Sequence, residues 1–208
     1  MPVRKSVLSG DELRLALLDA ASALLHEEGP HAVSTRRLAD LVGTSTQSIY
    51  TLFGGKQGLL RAVYREGFDR LGQHIRAVPV THDVRVDLRG LGDAYRASAK
   101  ASPHLYSVMF ERPVAEFECS DEDLEHALLT LYALADGVQR AIDAGVLHGA
   151  EAFDIAVNLW VAAHGFVSLE LSGHLFDEPD ALEARYEAVL GHALAPYAVS
   201  ASASSVAR

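Results

Sequence analysis

The sequence STRRLADLVGTSTQSIYTLFGGKQGLL, residues 34–60, decides the fold of this chain. Ser34 suits the N-cap of a helix, because its hydroxyl can accept a hydrogen bond from a free backbone N–H group. Gly43 and Gly54 each interrupt the helical pattern, since glycine readily takes the left-handed conformation that ends a helix. The stretch therefore predicts two short helices that are joined by a tight turn at Gly43.

The second short helix, predicted to run from about Ser45 to Phe53, divides its side chains between two roles. Its apolar residues Ile49, Leu52 and Phe53 are predicted to enter the core. The other side chains are polar where a buried helix would have apolar ones: Thr46, Gln47, Tyr50 and Thr51. A helix of this kind contacts something outside the protein, and the spacing predicts a helix-turn-helix whose target is DNA.

Helical periodicity continues almost everywhere outside this stretch. Apolar residues repeat along a first helix over 10–28, and a fourth helix begins near Lys56 and ends before Pro79. Residues 78–86 have the only strand-like pattern, and Pro79 interrupts it. Further helices are predicted over 84–101, 103–111, 121–145, 151–175 and 180–198. The chain is therefore predicted to be all-α.

The composition is that of an ordinary soluble protein, with 49% hydrophobic and 22% charged residues. No apolar run approaches the roughly 20 residues that cross a bilayer. The N-terminal residues MPVRKSVLSGDE lack the apolar segment of a signal peptide. The single cysteine, Cys119, excludes an intrachain disulfide. We therefore expect a cytoplasmic protein that does not contact a membrane.

The net charge of −10 argues at first against a nucleic-acid partner. Residues 1–60, however, carry six basic and six acidic groups, whereas residues 61–208 carry 12 basic and 22 acidic groups. The acidic body is therefore expected to face away from the duplex. Local positive charge would come from Arg4, Lys5, Arg36, Arg37 and Lys56.

Side-chain chemistry suggests individual roles in DNA contact. Gln47 can form two hydrogen bonds with adenine, and Thr46 offers a hydroxyl and a methyl group that suits thymine. Tyr50 and Lys56 suit phosphates, and Ser34 lies beside helix N-terminal N–H groups that attract anions. The full set of candidate DNA contacts is Ser34, Arg36, Ser45, Thr46, Gln47, Ser48, Tyr50, Thr51 and Lys56.

The run GTSTQSIYTLFGGKQGLL resembles the signature of TetR-type transcriptional regulators. The matching positions are Gly43, Ser45, Ser48, Ile49, Tyr50, Phe53, Lys56, Leu59 and Leu60, with Ser34, Arg36, Leu38 and Ala39 upstream. The resemblance covers roughly residues 10–60. Three features depart from the pattern: Leu52 stands at an often aromatic position, Gly54-Gly55 replaces a Pro/Ser-type turn, and Thr44 replaces an apolar residue.

The resemblance implies a homodimer that binds a double-stranded DNA operator and responds to a small-molecule effector. It divides the chain into a helix-turn-helix domain over 1–54, a ligand-binding and dimerisation domain over 55–199 and a flexible tail over 200–208. The segment LWVAAHGFVSLELSGHLF, residues 159–176, also resembles the Trp-His-Gly (WHG) type of C-terminal domain. Gly165 and Gly173 are expected on one helix face that allows close helix approach.

Two sets of C-terminal residues receive roles from this resemblance. The dimer interface is predicted to contain Gly165, Leu169, Gly173, Tyr186, Leu190 and Leu194. The ligand chamber is predicted to contain Phe68, Leu71, His104, Tyr106, Met109, Phe110, Phe117, Trp160 and His164. Ordinary core packing is the competing interpretation for every chamber residue. Nothing on these helices favours a highly charged ligand, so an apolar or amphipathic small molecule is expected.

Catalytic and metal-binding motifs are missing from the sequence. It has no HExxH, no GxSxG and no Gly-rich phosphate loop, and the separation of ten residues between His164 and His174 does not by itself bring them to one helix face for a metal. The acidic residues over 116–125 predict a solvated face, and Cys119 beside them is expected to be unreactive. The chain is therefore predicted to be no enzyme and to need no metal or cofactor.

The favoured hypothesis is a homodimeric repressor that an apolar or amphipathic inducer releases from a palindromic operator. One alternative is a helical small-molecule-binding or enzymatic protein whose N-terminal domain does not read DNA, which the balanced charge of residues 1–60 motivates. A second alternative is a DNA binder that works without a ligand.

Overall fold

The computed structural model describes residues 10–111, 119–176 and 178–199, and these ranges are almost entirely helical. Their α-helices are α1 Gly10–Glu28, α2 Thr35–Val42, α3 Thr46–Phe53, α4 Lys56–Arg76, α5 Val84–Ala101, α6 Pro103–Glu111, α7 Asp121–Asp143, α8 Ala152–Leu171 and α9 Pro179–Leu194. Pro30–Ala32 and Ala195–Tyr197 form 3₁₀ turns, and Leu147 and Ala198 form an isolated antiparallel bridge. The all-α prediction is confirmed. The predicted chamber residue Phe117, the basic residues Arg4 and Lys5 and the predicted tail lie outside the described residues.

The end of α8 differs from the sequence prediction. The helix ends at Leu171 instead of 175, and Gly173 follows with a left-handed backbone, φ 71°. Gly173 is therefore part of the turn that ends the helix, so the expectation that Gly165 and Gly173 share a helix face was wrong. A glycine at this position serves the chain reversal, because most residues avoid positive φ.

The contacts divide the chain into two compact units. Unit 1 combines Met1–Asp69 with Ser102–Leu124, and unit 2 combines Arg70–Ala101 with Glu125–Arg208. The predicted boundary after residue 54 is the end of α3 and its turn, whereas unit 1 also takes in the first part of α4 and all of α6. A domain over residues 1–54 stays a prediction of the sequence.

The core of unit 1 explains why it extends beyond the helix-turn-helix. The eight-residue helix α2 buries only Leu38 and Ala39, and α3 buries only Ile49. These few side chains cannot form a core alone, because burial contributes only about 25 cal/mol per Å² of apolar surface. The other helices supply the rest: Leu17, Leu18, Ala21, Leu24 and Leu25 from α1, Leu59, Leu60 and Val63 from α4, and Leu105 and Val108 from α6.

Unit 2 has its own apolar core around α5, α7 and α8. Its buried members are Leu88, Leu91, Val138, Ala141, Leu147, Ile155, Ala156 and Leu159. Two glycines permit close helix approach: a Cβ atom on Gly92 would lie 2.5 Å from Leu190 Cδ1, and one on Gly137 would lie 2.5 Å from Leu91 Cδ1.

Arg96 of α5 joins α8 and α9 within unit 2. Its guanidinium donates two hydrogen bonds of 2.7 Å to Glu170, and it also bonds Glu183. The hydrogen bond with Glu170 raises the pKa of Arg96 and lowers that of Glu170. The guanidinium carbon also lies 5.3 Å from the ring centroid of Tyr186 and 5.9 Å from that of Phe166. This buried charge is therefore paired rather than isolated, as burial requires.

Tyr186 of α9 is used entirely within its own chain. It is only 1% exposed, and its hydroxyl donates a hydrogen bond of 2.7 Å to the carbonyl of Gly92. Its ring packs 5.2 Å from that of Phe166. Tyr186 was predicted at a dimer interface, but it offers no surface to a second subunit.

The helix α8 is long and apolar enough, by length and composition, to cross a membrane. It has 20 residues, and its mean hydropathy is 1.4 over an 18-residue window. This corrects the expectation that no apolar run approaches the length that crosses a bilayer; within the helix, Asp154 and Glu170 are charged. A core helix of a soluble protein passes the same test, and in unit 2 α8 packs against α5 and α9 and pairs Glu170 with Arg96.

Asp123 is buried in unit 1, although the sequence predicted a solvated acidic face there. Its side chain is 0% exposed. It accepts hydrogen bonds from Arg61 Nε at 3.0 Å, from Arg65 Nε at 2.5 Å, and from the backbone N–H and hydroxyl of Ser120 at 3.0 and 2.8 Å. Burial alone would raise the pKa of Asp123, but these hydrogen bonds lower it from 3.8 to about 2.

We expect Asp123 to make the stability of the protein sensitive to acid. A carboxyl whose pKa is lower in the folded chain than in the unfolded chain stabilises the fold above its unfolded pKa, and this contribution is lost as the pH falls through the folded pKa. For Asp123 the loss falls between pH 3.8 and about pH 2 and corresponds to about 2 kcal/mol. Urea unfolding at about pH 5 and about pH 2 measures it. The free energy of unfolding of the wild type should fall by about 2 kcal/mol more than that of Asp123→Asn; equal losses would contradict the expectation.

Candidate nucleic-acid interface

Hydroxyl caps and left-handed glycines bound the two short helices in unit 1. Ser34 Oγ accepts a hydrogen bond from the backbone N–H of Arg37 at 3.2 Å, and Ser45 Oγ accepts one from Ser48 at 3.1 Å. Gly43 ends α2 with φ 76°, and Gly54 ends α3 with φ 72°. Such caps each stabilise a helix by about 1 kcal/mol. The predicted helix-turn-helix is thus present in the geometry of the fold.

The hydroxyls of Ser45 and Ser48 bond each other at the start of α3. The distance between their Oγ atoms is 3.0 Å, and Thr44 also donates a hydrogen bond of 3.0 Å to Ser48 Oγ. Both serines were predicted as DNA contacts. Within the chain they hold the first turn of α3, and Ser48 is only half-exposed.

The remaining polar residues of α3 are directed to the surface. Ile49 is 0% exposed, whereas Tyr50 is 54% exposed. Thr46, Gln47 and Thr51 are exposed as well, and the Thr51 hydroxyl donates a hydrogen bond of 2.9 Å to the carbonyl of Gln47. The backbone carbonyl of Gln47 is therefore hydrogen-bonded within the helix, while its side-chain amide is exposed.

The predicted basic contacts have different surroundings. Arg36 is exposed. Arg37 forms two hydrogen bonds with Glu28, of 2.9 and 2.5 Å, which lower the pKa of Glu28. Lys56 Nζ donates a hydrogen bond of 3.3 Å to the carbonyl of Pro30 at the start of the turn before α2. Arg37 was counted as local positive charge, but the ion pair with Glu28 balances that charge.

Sequence reasoning missed Gly58, which fixes the approach of α4 to the end of α3. A Cβ atom on Gly58 would lie 1.7 Å from the backbone oxygen of Phe53. Only glycine allows this contact without a shift of the backbone. A glycine inside a predicted helix was the available signal, because it lowers helix stability unless packing requires it. Gly55 is similar in its contact with Tyr50, since its Cβ would lie 3.2 Å from the Tyr50 ring.

Three predicted chamber residues of unit 1, Phe68, Tyr106 and Phe110, form an aromatic cluster. Phe68, Tyr106 and Met109 are buried, and Phe110 is half-buried. The ring centroids of Phe68 and Phe110 are 5.8 Å apart, and those of Tyr106 and Phe110 are 5.0 Å apart. His104 instead lies beside α1, with its ring centroid 4.8 Å from that of His26.

Three further chamber candidates belong to unit 2. Leu71 is buried, whereas Trp160 and His164 are half-buried on α8. His164 Nδ1 lies 3.1 Å from the hydroxyl of Tyr95, and the Trp160 and His164 rings are 6.1 Å apart. These contacts lie within one chain and agree with ordinary packing, the competing interpretation for His164.

The exposed faces of α8 and α9 differ in part from the predicted dimer interface. Gly165 and Leu169 are exposed on α8, as is Val161, which sequence reasoning missed. On α9, Leu190 and Leu194 pack against the core of unit 2. The exposed surface of α9 is otherwise charged, but one stripe of it consists of small residues: Ala181, Ala184, Ala188 and Gly191. Their spacing of three and four residues was the available signal, but the larger apolar side chains on the other face obscured it.

Metal ligation has no support among the described residues, since no group of three or more His, Cys, Asp or Glu side chains there is placed to hold an ion.

Comparison with known proteins assigns the family. Residues 17–63 match the family described as "Bacterial regulatory proteins, tetR family", and residues 88–193, about half of the chain, match "Tetracyclin repressor-like, C-terminal domain". The chain belongs to the TetR family of transcriptional regulators. The resemblance read from residues 34–60 is thereby confirmed. TetR regulators bind DNA and are not enzymes, so the prediction of a non-enzymatic DNA-binding regulator is also confirmed, and such a regulator acts inside the cell.

Relatives of this TetR chain include two mycobacterial regulators. The HTH-type transcriptional regulator Rv0681 of Mycobacterium tuberculosis is 28% identical over 79% of this chain and 72% of its own length. The HTH-type transcriptional activator FasR of Mycolicibacterium smegmatis is 33% identical over 52% of this chain and 50% of its own length. A protein of unknown function from Rhodococcus sp. RHA1 has a similar fold, with a TM-score of 0.77, 24% identity and coverage of 95% of this chain and 100% of its own.

Replacement of Gly58 by alanine should destabilise unit 1 of this TetR regulator. The new Cβ would overlap the carbonyl of Phe53, which belongs to the backbone and cannot turn aside as a side chain would. We expect a loss of about 1–3 kcal/mol in the free energy of unfolding, measured by urea titration. Gly10→Ala is the matched control, because a Cβ there meets nothing within 4 Å. Equal stabilities of the two variants would contradict the proposed contact.

Proposed function

We propose that this TetR regulator is a homodimeric repressor that lays α3 of each subunit in the major groove of a palindromic operator. The observation that carries the proposal is the division of α3: Ile49 is completely buried, while Thr46, Gln47, Tyr50 and Thr51 are exposed on the same eight-residue helix. A recognition helix needs this arrangement, because one face must be fixed and the other must reach base edges.

The exposed residues divide into base and phosphate contacts by their chemistry. Gln47 and Thr46 lie in the first turn of α3, which is the part of a recognition helix that meets base edges. Tyr50, Lys56 and Ser34 are assigned to phosphates. Ser34 caps α2, so a phosphate there would meet both its hydroxyl and free backbone N–H groups. Ser45, Ser48, Arg36 and Thr51 complete the proposed contact set.

The dimer is proposed to form through exposed faces of α8 and α9. Val161, Gly165 and Leu169 recur every four residues on the exposed face of α8, and Leu169 is 48% exposed. On α9 the stripe of small residues at Ala181, Ala184, Ala188 and Gly191 would allow two helices to approach closely. Two such helices from each subunit would form an intermolecular four-helix bundle. Gly165, Trp160 and His164 on α8 also support assignment to the WHG type of C-terminal domain.

The effector is proposed to be an apolar or amphipathic small molecule. The aromatic cluster of Phe68, Tyr106 and Phe110 in unit 1 supports an apolar partner, since aromatic side chains dominate small-molecule sites. An inducer would weaken operator binding by favouring the dimer geometry that does not fit DNA. We propose that the protein represses transcription. A reporter gene placed behind the operator tests this, and its expression should fall when the regulator is present. The relative FasR is named an activator, so an increase of transcription is the outcome that would reverse the sign.

Because the charges of residues 1–60 balance, affinity for DNA must depend on the placement of a few contact groups. This balance also motivates the alternative of a helical protein that binds a small molecule and recognises no specific DNA sequence. Selection of duplexes from a randomised library by the intact chain separates the two functions. If the wild type enriches no sequence with which it forms a salt-sensitive complex, that result would favour the alternative.

Replacement of Gln47 by alanine should weaken binding to the selected duplex by about tenfold and relax the preference at one base position. The loss follows because a bidentate amide contact contributes about 1–3 kcal/mol of discrimination. Fluorescence anisotropy with the selected duplex and with single-base variants measures both effects. Gln73→Ala on α4 is the matched control, since Gln73 is also exposed and lies outside the helix-turn-helix. Unchanged base preference in Gln47→Ala would exclude Gln47 from base contact.

Replacement of Ala188 by arginine should convert the dimer into monomers. The long charged side chain would stand on the small-residue face of α9, where two helices are proposed to meet. Sedimentation velocity measures the assembly, and affinity for the full palindrome should fall with it. Ala101→Arg, at the exposed last residue of α5, is the control for an added surface charge. A dimer that survives Ala188→Arg would move the interface elsewhere.

A further inference from the structure

The first turn of α7 and one face of α4 share an ion cluster that the proposed DNA contacts do not explain. Arg61 and Arg65 lie one helical turn apart on α4, and each directs its Nε–H to a different oxygen of Asp123. Glu122 adds a weaker contact of 3.3 Å to Arg65. The cluster therefore grips α4 at two successive turns, which fixes both its position and its rotation.

Asp123 is itself held rigidly by the start of α7. Its carboxylate accepts hydrogen bonds from the N–H and hydroxyl of Ser120, while the Ser120 hydroxyl accepts one from the Asp123 N–H at 3.3 Å. This reciprocal arrangement is a capping box, with aspartate in the place of the usual glutamate. These bonds fix the carboxylate of Asp123 on α7, so the carboxylate determines the position of α4 and not the reverse.

The position of α4 in turn sets the position of α3 within unit 1. Leu59 and Leu60 of α4 share the apolar core with Ile49, the buried anchor of α3. At its start, α4 contacts the end of α3 without any intervening side chain, because Gly58 packs on the carbonyl of Phe53. Close-packed elements of this kind transmit a shift instead of absorbing it.

We propose that Asp123 is a positioning residue for the recognition helix, which holds α4 through Arg61 and Arg65 at the place where α3 can read base edges. The proposal rests on the proposed role of α3 in the major groove. A buried ion pair is weak evidence for stability, since apolar residues of similar volume often hold a fold equally well. Two directional hydrogen bonds to one carboxylate do, however, fix where α4 lies. A binding site must hold its contact residues within about 0.5 Å of the productive position, so this placement matters for recognition.

The variant Asp123→Asn tests this in the full-length chain, with Asp121→Asn as the matched control. Both changes remove one negative charge from the first turn of α7, and Asp121 is exposed. The probe is the duplex that the wild type selects from a randomised library, with a scrambled duplex of equal length as the non-specific competitor. Circular dichroism and a thermal melt identify conditions in which every variant is folded.

We expect Asp123→Asn to bind the selected duplex at least about tenfold more weakly than Asp121→Asn, and to bind the scrambled duplex equally well or better. Non-specific binding is retained because Arg61 and Arg65 lose the charge that neutralises them. A merely structural role would lower the melting temperature but leave the ratio of specific to non-specific affinity, and the salt dependence of binding, unchanged in the folded protein. That result would overturn the proposal.

A second variant covers the case in which Asp123→Asn does not fold. Arg65→Gln leaves Asp123 with its contacts to Arg61 and Ser120. We therefore expect the ratio of specific to non-specific affinity to fall in this variant as well, but by less than in Asp123→Asn. Arg76→Gln, an exposed position on the same helix, is its control for lost positive charge. Equal specificity ratios in these two variants would overturn the proposal. If the wild type selects no duplex at all, the proposed function fails first, and the two failures are thereby distinguished.

Discussion

The burial of a single side chain, Ile49, is the constraint on which the DNA-reading part of the protein depends. An eight-residue helix is too short to be stable alone, and α3 has only one completely buried residue to fix it. Leu52 and Phe53 are half-buried and pack against the same core, and the Ser45 cap and the left-handed Gly54 hold the two ends of the helix. Because these three apolar side chains and the two ends fix α3, its remaining side chains are free to be polar.

The same constraint explains why the helix-turn-helix does not stand alone. Its two short helices contribute few buried side chains, so α1, α4 and α6 must supply the rest of the core of unit 1. The proposed recognition helix, α3, thus takes its position from α4. Gly58 and Asp123 are the residues where this dependence is most direct, since one removes a side chain at the contact with α3 and the other fixes α4 by two arginines.

Local patterns in the sequence predicted the features that are local in the fold. Ser34, Gly43 and Gly54 act on neighbouring backbone, so their roles could be read from their spacing and agree with the caps observed. Features that depend on distant residues could not be read in this way. Asp123 looked like one member of an acidic, solvated run, because its partners Arg61 and Arg65 lie about sixty residues earlier in the chain.

The faces of α9 show a second limit of prediction from sequence, which concerns the direction that a helix face points and not the distance between partners. Its apolar side chains form one helical stripe, and a stripe fits a dimer interface as well as the core of the same chain. In the structure, Gly92 of α5 shows that this stripe faces the core. Gly92 has no side chain to exclude Leu190, and its carbonyl accepts the hydrogen bond of the Tyr186 hydroxyl. No pattern within α9 contains that information. Small residues opposite the stripe are the complementary signal, and they become meaningful only after the large ones are assigned to the core.

Charge provides the last link between the two halves of the proposed function. Residues 1–60, which include α2 and α3, carry no net charge, and Arg37 is already paired with Glu28. Counterion release from phosphates therefore contributes little for each subunit, and a single reading head would bind DNA weakly. Two heads joined in one dimer bind with the second contact made intramolecular, which multiplies affinity without any new contact. A regulator built in this way depends on the separation of its two recognition helices, so anything that changes the dimer geometry controls DNA binding.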